Sequence, residues 1–245
     1  MKKLFKAIRH NDLEEVKVII EKKPELVSCI STPPPKKDQG QSPLQVAIKV
    51  DAFDIAYYLI EKGADVNFME SEDCGSNKRM PLLHDCIIGI FISMCYGMKN
   101  AEISDRHVSL LKTLLEHGAD PNKRNTSDMA ALDICVHRAS YVLDDEIYSK
   151  VHDFVKKQLE RVLDLLLEHG ADFKAWADGN YLPNTNEFGT NRSQFLDDFK
   201  PVPDRFESFT IKGHKVERVV KGDIDRTART RACIQGYCER RGLKV

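Results

Sequence analysis

The chain has 245 residues, 42% of them hydrophobic and 31% charged, which excludes a short disulfide-held scaffold and a compositionally disordered segment. Lys and Arg total 37 against 38 Asp and Glu, so the molecule as a whole carries no field that would draw nucleic acid or an anionic membrane to it. Seven scattered cysteines, an odd number, together with Arg9-His10-Asn11-Asp12 interrupting any apolar run after the first lysines, lead us to expect reduced thiols and a cytoplasmic protein.

In chain order, LFKAIRHNDLEEVKVII opens with apolar residues at helical spacing and ends in Pro24 and Glu25. Pro33-Pro34-Pro35-Lys36-Lys37 reads as an extended connector. Three patterns then recur: SPLQVAI (Ser42 to Ile48), MPLLHDCI (Met80 to Ile87) and MAALDICV (Met129 to Val136). Ser42 caps free amides and Pro43 at a first helical position loses no hydrogen bond, so each pattern reads as a helix start. Each is followed by an amphipathic helix, IAYYLI, LLKTLL or VLDLLL, and then by EKGADVN, EHGADPN or EHGADFK. Gly63, Gly118 and Gly170 sit where a helix ends in the left-handed conformation.

Between the paired helices of the last two units lie insertions of about residues 88–106 and 137–157. The first continues an apolar run from Leu82 to Met98 that His84 and Asp85 disqualify as a membrane span, and it reads as a buried helix. The second places Ile147, Val151, Phe154, Val155, Leu159, Val162, Leu163 and Leu166 at helical spacing. Both are expected to lengthen the helices of their units in register and to pack on each other. From Phe173 the helical period stops. ESFTIKGHKVERVV then suggests a hairpin turning at Gly213-His214 with Ile211 opposite Val216, and a last helix spans about Asp225 to Arg241.

The units resemble the ankyrin repeat, whose pattern reads Thr-Pro-Leu-His-x-Ala-Ala, a Gly-His turn, Leu-Leu and Gly-Ala-Asp-x-Asn. The resemblance covers about residues 4 to 174 and is fullest in the second unit, through Gly40, Ser42-Pro43-Leu44-Gln45, Ala47, Leu59-Ile60 and Gly63-Ala64-Asp65-Val66-Asn67. It implies an all-α fold, a solenoid of about four helix pairs, two of them lengthened. The units fall at about 1–30, 40–69, 79–124 and 128–174, forming a domain over 1–174. Residues 175–245 are then a C-terminal capping extension with a hairpin and a helix, since a solenoid end needs covering.

Residue types with chemical potential have simpler readings. His84 aligns with the histidine of the repeat, which hydrogen-bonds at the turn, and Cys86 and Cys135 fall where the family buries small alanines. This weighs against a nucleophile built from His84, Cys86 and Cys95. Cys233 and Cys238, with His214 and Glu239, have a spacing too wide for a common zinc site. His117 and His169 suit helix C-termini, and Asp65, Asp120 and Asp172 recur because the repeat turn uses them. No cofactor, metal or catalytic set is expected.

The resemblance implies a partner protein, met at the first helices and the turn tips. By position these are Lys49 and Asp51 in the second unit, His137 and Arg138 in the fourth, and the tips Glu70, Glu72, Arg124 and Asn125. The expected function is non-catalytic, stoichiometric binding, in one form that of an inhibitor or immunity-type protein. The competing reading places an effector in the C-terminal segment, binding nucleic acid or carrying a small enzymatic module. Residues 201–245 hold eleven Lys or Arg against six acids. The near-neutral pI and the absence of a nucleic-acid motif favour a tail that docks on the oppositely charged body, or a merely solvated helix, over nucleic acid.

Overall fold

The computed structural model describes residues 1–32, 38–95, 100–177, 205–211, 214–220 and 228–243. It divides into two compact units, Met1–Pro183 and Asn184–Val245. The Pro33–Lys37 connector lies outside the described residues.

The first unit is built of helices α1 (Lys2–Arg9), α2 (Leu13–Lys22), α3 (Pro43–Lys49), α4 (Phe53–Glu61), α5 (Leu82–Ile92), α6 (Ala101–Glu116), α7 (Ala131–Leu143), α8 (His152–Glu168) and α9 (Phe173–Ala177). Successive helices pair, α1 with α2 and so on to α7 with α8. Across the pairs, α1, α3, α5 and α7 pack in one row while α2, α4, α6 and α8 pack in another. This is a two-layered, all-α repeat solenoid whose core lies between the rows.

Local signals act as the sequence implies. Ser42 accepts a hydrogen bond from the Gln45 amide at 3.1 Å, with Pro43 in the first turn. In the fourth pair the Asp133 carboxylate instead accepts from the Ala130 amide at 2.9 Å. Gly63, Gly118 and Gly170 have φ of +84°, +87° and +87°, so they end α4, α6 and α8 in the conformation that penalises any Cβ. Gln45, His84 and Asp133 each stand third in their helix and are buried; Ala47, Cys86 and Cys135 stand fifth and are fully buried.

The Gly-Ala-Asp-x-Asn segments also tie one pair to the next. Asn67 donates to the Gly118 carbonyl and accepts from the Asp120 amide, both at 2.8 Å. Asn122 repeats this with Gly170 at 2.8 Å and Asp172 at 2.9 Å. In the last segment Lys174 replaces Asn. Asp172 there caps α9 by accepting from the Ala175 amide at 2.8 Å, so one more helical turn follows Ala171 where the sequence pattern implied that helix stops.

The helices of the third and fourth pairs are longer, 11 and 16 residues in α5 and α6, 13 and 17 in α7 and α8, against 7 and 9 in α3 and α4. Both insertions therefore extend helices. Their extensions meet through Ser104, which donates to the Ile90 carbonyl at 2.8 Å and accepts from Gln158 at 3.1 Å. Gln158 and Arg161 also hold Asp105. Burial raises this carboxyl's pKa, but these donors outweigh it and hold the group below its ordinary value. Two details differ from the sequence reading. The apolar run starting at Leu82 stays helical only to Ile92. The second insertion breaks at Asp144, and Asp145 caps a tight 3-10 turn over Glu146–Val151 by accepting from the Ile147 amide at 2.9 Å. That tighter turn throws Ile147 outward, 78% exposed, off the stripe the helical period assigned it.

The second unit holds strands β1 (Arg205–Ile211) and β2 (His214–Val220) and helix α10 (Ala228–Arg241). The strands are antiparallel, with Ile211 opposite His214 and Phe209 opposite Val216. Ile211 thus pairs two residues closer along β2 than the expected Val216, and the residues between the strands lie outside the described ones. On α10, Thr230, Ile234, Tyr237 and Cys238 are buried at helical spacing.

Candidate functional site

The tip residues separate into two kinds. Glu72 is exposed, 3.6 Å from Arg79, and Arg124 pairs with Asp128. Glu70 and Asn125 are buried. Glu70, 7% accessible, accepts from Gln41 at 3.1 Å, from Lys49 at 2.6 Å and from the Met80 amide at 3.1 Å. Asn125 is buried and accepts from the Ser127 and Met129 amides at 2.9 and 3.0 Å, an Asx turn that shapes the tip. A polar side chain at a loop reads as surface until the loop's backbone is seen to fold around it.

Where the short α3 ends beside the longer α5 and α6, a hollow of about 520 Å³ opens, within the usual range for ligand pockets. Ile48, Ile88, Ile92 and Ile103 give it apolar walls, and Lys49, Asp51, Asp85 and His107 bring charge and hydrogen-bonding groups. A second hollow of about 310 Å³ adjoins it, sharing Lys49, Asp85 and Ile88 and adding Glu70 and Lys78.

Asp51 follows α3 with φ of +57°, a left-handed position that Asp tolerates and that turns the chain toward α4. There its carboxylate meets His107 Nε2 at 2.8 Å. His107 is buried edge-on to Phe53, with ring centroids 4.8 Å apart, and packs against Gly89, where a Cβ would fall 2.3 Å from the imidazole. Its Nδ1 lies 3.9 Å from Cys86 Sγ.

Cysteine, histidine and aspartate thus stand in line, but the thiol has no path to chemistry. Cys86 is fully buried, donates to the His107 carbonyl at 3.3 Å, and has its pKa pushed up by burial, so the thiolate is disfavoured. Cys86 pairs with His107, not with His84. His84 is fully buried and its pKa is pushed down to about 4 by burial, with a smaller opposing pull from the Lys123 backbone.

Asp85 lies on α5 with its side chain 9% accessible, accepting from Gln45 at 2.6 Å and standing 3.6 Å from Lys49. Burial raises its carboxyl pKa to about 6 despite those two partners. Asp85 and His107 were not singled out from sequence; a lone carboxylate inside the apolar run of α5 was the available signal.

The seventh residues of α3, α5 and α7 are Lys49, Ile88 and His137, and the eleventh of α5 and α7 are Ile92 and Tyr141. Ile92 and Tyr141 are 43% and 45% exposed. His137 lies edge-on to Tyr141, centroids 5.2 Å apart, and the Arg138 guanidinium stands 5.9 Å from that ring. Burial, and then Arg138, push the His137 pKa down to about 4. The structure therefore places Lys49 and Asp51 at the hollow, and His137 and Arg138 beside the exposed Tyr141.

No helix among the described residues is long and apolar enough to cross a membrane. Residues 39–68, the α3–α4 pair with its tip, match a family model described as an ankyrin repeat. Residues 98–141, from α6 into α7, match one described as ankyrin repeats in many copies. No curated protein matches the chain.

Proposed function

Since this chain belongs to the ankyrin-repeat family, whose repeats form protein–protein interaction modules, we propose that it works by stoichiometric binding of one protein partner at the α3–α5–α7 face, without turnover. One observation carries this reading: Ile92 and Tyr141, large apolar side chains at the same position of the neighbouring helices α5 and α7, are both left exposed, and Ile92 lines the hollow. Lys49 and Asp51 line the hollow with Ile92, His137 and Arg138 flank Tyr141, and Glu72 and Arg124 stand at the tips. Cys86, the one thiol aligned with a histidine and a carboxylate among the described residues, is sealed from solvent, which supports a non-catalytic role.

The test compares the intact protein with Ile92→Ser/Tyr141→Ser in quantitative capture from its own cells, followed by light scattering of the isolated complex. The expected result is a single partner at fixed stoichiometry, lost about tenfold or more in the double variant, as for interface anchors, with the melting curve unchanged. Undiminished capture, or turnover of a substrate by the pure protein, would overturn the assignment. A captured toxin or enzyme whose activity falls on binding would make the protein an inhibitor of the immunity type.

A further inference from the structure

The hollow between α3, α5 and α6 has more accepting oxygen than its own cations satisfy. Lys49 is divided between Glu70 at 2.6 Å and Asp85 at 3.6 Å, and among the described residues Asp51 pairs with His107. The hollow's own lining thus sets two carboxylates, Asp51 and Asp85, against one ammonium group, while Glu70 and Lys78 line only the adjoining hollow. One oxygen of Asp85 and one of Asp51 have no hydrogen-bond partner among the described residues. Behind Asp85, Gln45, whose amide nitrogen donates to Asp85 and to the Met80 carbonyl, is fully buried with its carbonyl oxygen unpaired.

We propose that this hollow receives a lysine or arginine side chain projecting from the partner protein, its aliphatic stem against Ile88, Ile92 and Ile103 and its cationic head toward Asp51 and Asp85. The inference rests on the reading that this face binds protein, and it names the chemistry of the contact. An acidic group would meet the carboxylates of Asp51 and Asp85. A purely apolar group would seal Asp85 and Asp51 away from water without supplying a donor, which is costly for a buried polar atom. A long basic side chain matches both parts of the lining, since its methylenes bury against apolar walls while its head stays with charge. Burial raises the Asp85 pKa to about 6 against the opposing pull of Lys49 and Gln45, so a further donor would favour its charged form. The described carboxylates do not gather with other ligands into a group able to hold a metal ion, so the missing charge is not that of a metal site among those residues.

The test is an NMR titration of the full chain with N-acetylated, C-terminally methylamidated arginine, lysine, norleucine and glutamate, and with free putrescine. Saturable shifts of the Ile88, Gly89, Ile92, Ile103 and His107 amides are expected with capped arginine or lysine. Asp51→Asn/Asp85→Asn should weaken them about fivefold or more, the size of one modest charge pair. Ile92→Lys, which sets an amine at the edge of the hollow, should abolish them while Ile92→Met retains them; this pair keeps the test decisive if the Asn variant folds poorly. Equal binding of norleucine, preference for glutamate, or putrescine binding as well as the capped residues would overturn the proposal. If charge preference is absent while Ile92→Ser/Tyr141→Ser still abolishes partner capture, the basic side chain is wrong and protein binding stands. If capture is indifferent to that double variant, the binding face itself is wrong.

Discussion

The α3–α4 pair and the α5–α6 pair carry the same tip and differ at the opposite end. Both end in a positive-φ glycine and a Gly-Ala-Asp-x-Asn segment whose Asn reaches the next pair. At the other end α3 stops at Lys49 while α5 runs 11 residues, and α6 begins early enough to bring His107 against Asp51. A solenoid of equal repeats would bury this junction evenly. Here the mismatch leaves a step, and the step holds the hollow, the shared Lys49 and the half-satisfied Asp85. Extension of a repeat thus creates a site without altering the repeat's own pattern.

The largest expected effect asks whether the extension is structural or ornamental. Phe91 lies in the lengthened part of α5 and is almost wholly buried. Phe91→Ala should cost about 3–5 kcal/mol in chemical denaturation, the usual range for a core phenylalanine. A loss below about 1 kcal/mol, typical of a surface site, would show that the extension contributes little to the fold.

The next effect is pH-dependent and belongs to the long pairs alone, because the position of His84 is filled in the short pair by Gln45. His84 and His137 are held near 4 from an ordinary 6.5, so the stability tied to their neutral forms is complete above about 6.5 and is lost as pH falls toward 4. Asp85, raised from 3.8 to about 6, acts oppositely: its contribution is present below 3.8 and lost as pH rises through 6. Each histidine is worth about 3 kcal/mol at full development. His84→Gln should therefore flatten the fall in melting temperature between pH 6.5 and 4.5 relative to the parent chain. An unchanged slope would mean that another group governs acid sensitivity.

A smaller effect tests the shared tip. Asn67→Ala removes two exposed hydrogen bonds that join the short pair to its neighbour and should cost about 1 kcal/mol. Asn122→Ala should cost a similar amount by the same measurement, and a marked inequality between them would break the equivalence of the tips. The smallest change, Glu72→Ala, should leave stability within about 0.5 kcal/mol. A larger loss would mean that its loose contact with Arg79 matters to the fold.

What the sequence by itself determined is whatever depends on a few neighbouring residues. The glycine stops, the Ser42-Pro43 start, the buried small residues Ala47, Cys86 and Cys135, and the helical nature of both insertions follow from φ preference, capping and apolar period. Only the tertiary structure decided what meets across pairs. Glu70 turned inward because Lys49 and the Met80 amide wait for it, and Ile147 turned outward because Asp145 started a tighter turn. His107 found Asp51 from 56 positions away. Contacts of that kind depend on how far each helix runs before it ends, and a repeat pattern read along the chain aligns the tips while leaving those lengths, and so the step between α3 and α5, to the packing of the rows.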